Sequence, residues 1–255
     1  MLRAFGAHVA RRPLGAGMET EGIGGVQFTV QGPLIAPDGE YRVEPDASSA
    51  AVALGAAAVT GGRVEIQGLG LGSAQPDARG IHKGLAALGC DVSASRIDRL
   101  VCEGRPTRGA TIDCTDWPDA SPVLAIVAAR VARDRGLTST LNGLGTLPGK
   151  ESSRIEVLAQ GLTAAGFAAE ATATSLHIGP GPAHSSRPGR GEPLLLDPRE
   201  DHRMAFAFAL LALFEPRVLV QSPGCVAKSW PTFWRDLEAL LVSSNVRDDI
   251  QPPPT

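Results

Sequence analysis

Most side chains in this 255-residue chain that could do chemistry are cations and carboxylates at places where helices begin. Arg203 follows Asp201 and His202 at the head of an alanine-rich segment. Its planar guanidinium suits bidentate contact with a phosphate or a carboxylate better than a point charge would. Lys150, Glu151 and Arg154 form a second cluster, with Lys150 and Arg154 at helical spacing for one face of a predicted helix start. Lys228 follows the Gly224-Cys225 turn, and Asp119 heads a further helix. Helix starts attract anions through their free N–H groups, and an Asp there caps the first turn. Together these residues describe a surface for a multiply charged small anion. Plainer readings stand beside it. Asp119 and Asp201 serve as N-caps, Lys150 to Arg154 is a solvated helix start with an ion pair, His202 is a hydrogen-bonded structural residue, and Lys228 is a solvated loop lysine.

The elements that must position these groups recur. An Asp-led helix runs into a strand and a glycine turn at Asp46 to Gly70, Asp119 to Gly145 and Asp201 to Gly224. Each copy covers about 25 residues and successive copies start roughly 75 to 80 residues apart, which signals stacked similar units. Unit one is predicted as helix 46–60, strand 63–68, helix 78–89 and strands near 91–95 and 99–103. Unit two is strand 110–114, helix 119–134, strand 137–142, helix 151–166 and strands near 168–172 and 174–178. Unit three is strand 193–197, helix 201–214, strand 217–221 and helix 231–242, with its last strands missing. The first two units read βαβαββ. Ahead of them, Met1 to Ala7 reads as the tail of a helix continuing from something upstream, followed by strands at 8–10 and 26–30 with a glycine-rich stretch between. Pro180 to Glu192 reads as a surface loop and Pro252 to Pro254 as a frayed tail. An α/β fold follows, with helices inside and sheets outside as one fitting layout.

Bulk properties narrow the partners. Net charge is −3, so bulk attraction to nucleic acid is not expected and any anion site must be local. The longest apolar runs, such as Ala205 to Phe214, are too short to span a bilayer, and no signal peptide is visible. Cys90, Cys102, Cys114 and Cys225 lack CxxC spacing, so neither a metal site nor a disulfide framework is indicated. Reduced thiols in the cytoplasm are the simplest account.

Five strings now carry a resemblance. They are Val43-Glu44-Pro45-Asp46-Ala47-Ser48-Ser49-Ala50, Pro118-Asp119-Ala120, Lys150-Glu151-Ser152-Ser153-Arg154, Asp201-His202-Arg203-Met204-Ala205 and Cys225 to Pro231. In this order and spacing they resemble the C-terminal half of the 5-enolpyruvylshikimate-3-phosphate synthase family. The sister family that uses UDP-N-acetylglucosamine shares the fold, but the Asp-His-Arg-Met and Lys-Glu-x-x-Arg strings favour the shikimate enzyme. The resemblance implies an inside-out α/β barrel of βαβαββ units. Residues 45–255 would be one domain, with its third unit incomplete, and residues 1–44 the C-terminal remnant of the other. It implies transfer of the enolpyruvyl group of phosphoenolpyruvate to the 5-hydroxyl of shikimate 3-phosphate with release of phosphate, without metal or organic cofactor.

The same resemblance assigns roles residue by residue. Asp119 would accept the hydroxyl proton, and Glu151 would donate or relay a proton to the methylene carbon. Lys150, Asp201, His202 and Arg203 would contact substrate, and Arg154 and Lys228 would hold phosphoenolpyruvate. Asp46 with Ser48 and Ser49 is assigned to capping and hinge geometry. Ser153 stands where the family commonly has an acidic residue, and Thr146 where it usually has an Asn. The family's remaining substrate groups lie in an N-terminal half, so a separately encoded half is an expected partner. The competing expectation is a non-catalytic remnant with a vestigial anion pocket. Similar units also occur in RNA 3′-phosphate cyclases, against which stand the acidity and the lack of a nucleotide-handling loop.

Overall fold

The computed structural model describes residues 2–13, 26–181 and 192–245. The predicted glycine-rich stretch and the frayed tail therefore lie outside the described residues, as does most of the predicted loop from Pro180. The chain divides into two units, Met1–Glu44 and Pro45–Thr255.

In the smaller unit, β1 (His8–Pro13) pairs antiparallel with β2 (Val26–Gln31), from His8 opposite Gln31 to Pro13 opposite Val26. The strand predicted at 8–10 therefore runs three residues further, as far as the register allows. The predicted helix tail is one 3-10 turn, Leu2–Phe5. Gly6 ends it in the left-handed region at φ +85°, where side chains with a Cβ are strained.

The larger unit carries the repeats. The first has α1 (Ala47–Thr60), β3 (Arg63–Gln67), α2 (Pro76–Ala87), β4 (Asp91–Ala94) and β5 (Arg99–Glu103), with an antiparallel sheet ordered β3-β5-β4. The second has β6 (Thr111–Asp113), α3 (Ser121–Arg135), β7 (Ser139–Asn142), α4 (Arg154–Ala164), β8 (Ala168–Ala171) and β9 (Leu176–Gly179). Its sheet is ordered β6-β7-β9-β8, with only β6 and β7 parallel. The third has β10 (Leu194–Leu196), α5 (His202–Ala212), β11 (Val218–Val220) and α6 (Phe233–Asn245), with β10 and β11 a parallel pair. Unit two is thus a full βαβαββ. Unit one, expected to match it, has no leading strand among the described residues, because residues 40–46 make no ladder.

The alanine runs explain the layering. Helices α1, α3 and α5 are buried almost all round, as interior helices must be, and they pack on one another. Small side chains allow this close approach. A Cβ on Gly55 of α1 would come within 2.4 Å of Val123 Cγ1 on α3 and 3.1 Å of Leu210 Cδ1 on α5. The sheets cover this bundle, and β3 alternates half-buried with exposed residues as an outer layer should. Cys90, Cys102 and Cys114 are buried free thiols within the core, and Cys225 is a half-buried one.

Candidate functional site

Three central helices begin at one cleft. At α1 the Asp46 carboxylate accepts the N–H groups of Ser48 at 3.1 Å and Ser49 at 3.2 Å, and the Ser49 hydroxyl at 2.6 Å. At α5 Asp201 accepts the Arg203 N–H at 2.9 Å. Both caps are as the sequence predicts. The start of α3 is different. Asp119 lies in a 3-10 turn, Pro118–Ala120, and the α-helix begins at Ser121 with Pro122 in its first turn. No side chain caps α3, so the expected N-cap role of Asp119 is corrected. Pro122, with fixed φ and no N–H, suits a helix first turn, where that donor would be free, and so favours a start at Ser121. The Asp119 carboxylate is therefore directed to partners across the cleft. Asp46, Ser48, Ser49, Asp119, His202 and Arg203 are among the residues lining this opening.

Arg154 ties the repeats together. It is the first residue of α4, and Lys150 to Ser153 precede the helix rather than forming its first turn, which corrects the predicted start at 151. Lys150 has extended backbone, so it shares no helix face with Arg154. The two instead meet on one carboxylate. Arg154 Nη1 donates to Asp119 Oδ1 at 2.7 Å, and Lys150 Nζ lies 3.7 Å from the same oxygen. Arg154 Nε donates to Asp201 Oδ2 at 2.7 Å and Nη2 to Glu151 Oε2 at 2.6 Å. Arg154 is 1% exposed and Asp201 0%. The planar fork suits such multidentate pairing, and a charge buried this deeply needs it. The guanidinium expected to be an open anion ligand is thus already filled by carboxylates.

The remaining cations ring this hub. Arg203 Nη2 lies 3.5 Å from Asp119 Oδ2, and Lys228 Nζ donates to Glu151 Oε1 at 2.6 Å. Arg154 therefore shares Asp119 with Arg203 and Glu151 with Lys228. Lys228 closes a 3-10 turn, Pro223–Lys228, and is more than half exposed. The hydrogen bond from Lys228, the residue's own backbone N–H and the Arg154 charge hold the Glu151 carboxyl down at about 2. His202 is 7% exposed and edge-on to Phe206, with ring centroids 5.9 Å apart. Its Nδ1 stands 4.0 Å from Asp201 Oδ1, beyond hydrogen-bond reach, and has no partner. Burial first, then the Arg203 charge, depress its pKa, so the ring is neutral at pH 7.

Sequence reading missed three contributors. Ser152 donates to Asp201 Oδ2 at 3.1 Å. Gln75 accepts the Ala47 N–H at 2.8 Å, satisfying another free donor at the start of α1. Asp77, in the first turn of α2, accepts the Ser48 hydroxyl at 3.3 Å, and its pKa is raised by burial and by the Asp119 charge. Its place as an acidic residue in a helix first turn was visible, but its neighbours come from another segment. Among the described residues no group of three His, Cys, Asp or Glu is placed to hold a metal ion, and no helix is long and apolar enough to cross a membrane.

Lys150, Arg154, Arg203 and Lys228 are thus interleaved with Asp119, Glu151 and Asp201 beside the starts of three central helices. The family model described as EPSP synthase (3-phosphoshikimate 1-carboxyvinyltransferase) matches residues 1–237. A 3-phosphoshikimate 1-carboxyvinyltransferase of Methanoculleus marisnigri is 38% identical over 94% of this chain and 52% of its own length. That of Methanosphaerula palustris is 37% identical over 94% and 51%. The solved EPSP synthase of Acinetobacter baumannii superposes with a TM-score of 0.65 at 26% identity, over 95% of this chain and 53% of its own. The enolpyruvyl transferase NikO of Streptomyces tendae shares the fold, with a TM-score of 0.61 at 21% identity. The chain spans about half the length of the curated relatives it matches. It belongs to the EPSP synthase family.

Proposed function

We propose that this chain supplies one half of an enzyme that transfers the enolpyruvyl group of phosphoenolpyruvate to the 5-hydroxyl of shikimate 3-phosphate in the cytoplasm. Residues 45–255 form the domain that carries Asp119, Glu151 and the cations, and residues 1–44 belong to a second domain. The hydroxyl oxygen attacks C2 of phosphoenolpyruvate as Asp119 takes its proton, and Glu151 delivers a proton to the methylene carbon. Phosphate leaves the resulting tetrahedral intermediate, and the methyl group gives a proton back. Arg203, Lys228 and Lys150 supply positive charge for the phosphate and carboxylate, each charge-assisted hydrogen bond contributing about 1.5–3 kcal/mol. Arg154 fixes the two carboxylates relative to each other, and Asp201 and His202 hold the start of α5 behind Arg203. One observation carries this reading: a single buried guanidinium joins Asp119, Glu151 and Asp201 from different parts of the repeats, with three further cations within reach.

The test is phosphate release from phosphoenolpyruvate and shikimate 3-phosphate by the chain mixed with an N-terminal half, such as that of the Methanoculleus marisnigri relative. Turnover that falls at least a hundredfold in Asp119→Asn and Glu151→Gln is expected. No release in the mixture, together with no binding of phosphoenolpyruvate, would favour the second reading of a vestigial pocket. That reading draws on Arg154 being occupied by carboxylates.

A further inference from the structure

Asp119 stands on a turn ahead of α3 that no side chain caps, so its backbone must be held from elsewhere. Between Cys114 and Ala120, Trp117 is the one large buried side chain. Its N–H donates to the Cys114 carbonyl at 3.0 Å, and its own carbonyl accepts the Ala120 N–H at 3.3 Å, which brackets the turn Pro118–Ala120. Its ring rests on α2 at Gly80. A Cβ at that position would come within 2.2 Å of Cδ2 and 2.4 Å of Cγ, the root of the indole. A buried ring met at its root has little room to swing aside in a close-packed interior. We propose that Trp117 is a positioning residue for Asp119: the indole, seated on Gly80, fixes the turn and keeps the carboxylate where it meets a substrate hydroxyl. This rests on the proposed role of Asp119 as proton acceptor, while the seat itself is a matter of packing.

Other ties to this turn act on other atoms. Arg154, Arg203 and Lys150 hold the tip of the Asp119 side chain. The Ser121 hydroxyl donates to the Pro118 carbonyl at 2.7 Å, and Arg203 Nη1 reaches the Asp119 carbonyl at 3.4 Å. Trp117 adds a tie to a different helix, α2, beneath the turn. Placement matters here because a shift of about 1 Å between reacting groups costs about a hundredfold in rate. Gly84, one turn further along α2, gives the comparison. Its Cβ would meet Leu124 Cδ1 on α3 at 2.4 Å, an intrusion into the neighbouring helix rather than the turn. Gly is a poorer helix former than Ala, so a position that had only to be helical would gain from Gly→Ala. At both glycines close packing opposes that gain, but only at Gly80 does the added methyl press on the residue that brackets Asp119.

The experiment compares Gly80→Ala with Gly84→Ala in the full chain, alone and mixed with an N-terminal half. In the mixture Gly80→Ala is expected to lower kcat between about tenfold and a hundredfold, with KM for phosphoenolpyruvate within about twofold of wild type. Gly84→Ala is expected to keep kcat within about twofold. In an Asp119→Asn background, adding Gly80→Ala should cost less than about twofold more, because a residue acting through Asp119 has nothing left to position. Equal losses of kcat in the two glycine variants, or an undiminished loss in the Asp119→Asn background, would overturn the proposal. Carboxyl-carbon NMR of the chain alone, with Asp119→Asn to assign the signal, gives a readout that needs no turnover. Gly80→Ala should move the Asp119 signal and Gly84→Ala should leave it in place; a signal unmoved in Gly80→Ala overturns the seat. If the wild-type mixture shows no turnover while the signal moves as expected, the proposed transfer fails and the seating of Asp119 by Trp117 stands.

Discussion

Replacing Asp201 separates the charge that holds the site from the cap that starts α5. The carboxylate is fully buried, pairs with Arg154 Nε at 2.7 Å, accepts Ser152 at 3.1 Å and caps the Arg203 N–H at 2.9 Å. Breaking a buried pair from one side costs about 3–5 kcal/mol, because it leaves an uncompensated buried charge. Arg154 keeps Asp119 and Glu151, so about 3 kcal/mol is the appropriate figure for Asp201→Asn, which retains a capping oxygen. Asp201→Ala also removes the cap, adding about 1 kcal/mol. Urea unfolding of the full chain followed by circular dichroism would measure both. With a slope of about 2–3 kcal/mol/M, Asp201→Ala should lower the midpoint by roughly 1.5 M at unchanged slope. In a double-mutant cycle with Arg154→Met the losses should fall short of additive by about 2 kcal/mol. Additive losses, or a loss under about 1 kcal/mol for Asp201→Asn, would refute the claim that Arg154 and Asp201 depend on each other.

Three further outcomes are expected. Gly55→Val puts its Cβ against Val123 and Leu210 at the centre of the helix bundle, so thermal or urea unfolding should show about 1–3 kcal/mol lost to overpacking. The Glu151 carboxyl is held down at about 2 in the folded chain against 4.5 ordinarily, so its contribution is complete above pH 4.5 and lost as pH falls toward 2. Because the side chain is 35% exposed, that contribution is at most about 1 kcal/mol, and the stability gap between wild type and Glu151→Gln should close as pH falls from about 4.5 to about 2. The β10–β11 pair has unpaired outer edges among the described residues and exposed Leu195 and Leu219, so size-exclusion chromatography of the chain alone should show concentration-dependent association that Leu195→Lys reduces.

Much of the fold was legible because the interior helices are alanine-rich and two of them announce their starts. Asp46 and Asp201 cap helices within a residue of the predicted positions. The start of α3 was misplaced although the signal was present: Pro122 marks a helix first turn more firmly than Asp119 marks a cap. Lys150 to Ser153 suggested helical spacing, but these residues form the turn before α4, so the predicted shared face does not exist. The members of the charged cluster could be named one by one. Their pairing could not, since Arg154 and Asp201 are 47 residues apart and meet only when separate repeats stack. Local sequence likewise gives no reason for Arg154 to be buried, nor for the His202 Nδ1 to lack a partner at the cleft.

The central claim is that cations from separate repeats close on one enolpyruvyl phosphate beside Asp119 and Glu151. A crystal structure of the chain, with an N-terminal half, soaked in phosphoenolpyruvate tests it most directly. The account predicts the phosphate in contact with Lys228 and Arg203, and the ligand's C2 and methylene carbon facing the two carboxylates. Density for the ligand elsewhere, away from Lys228, Arg203 and the two carboxylates, would contradict it.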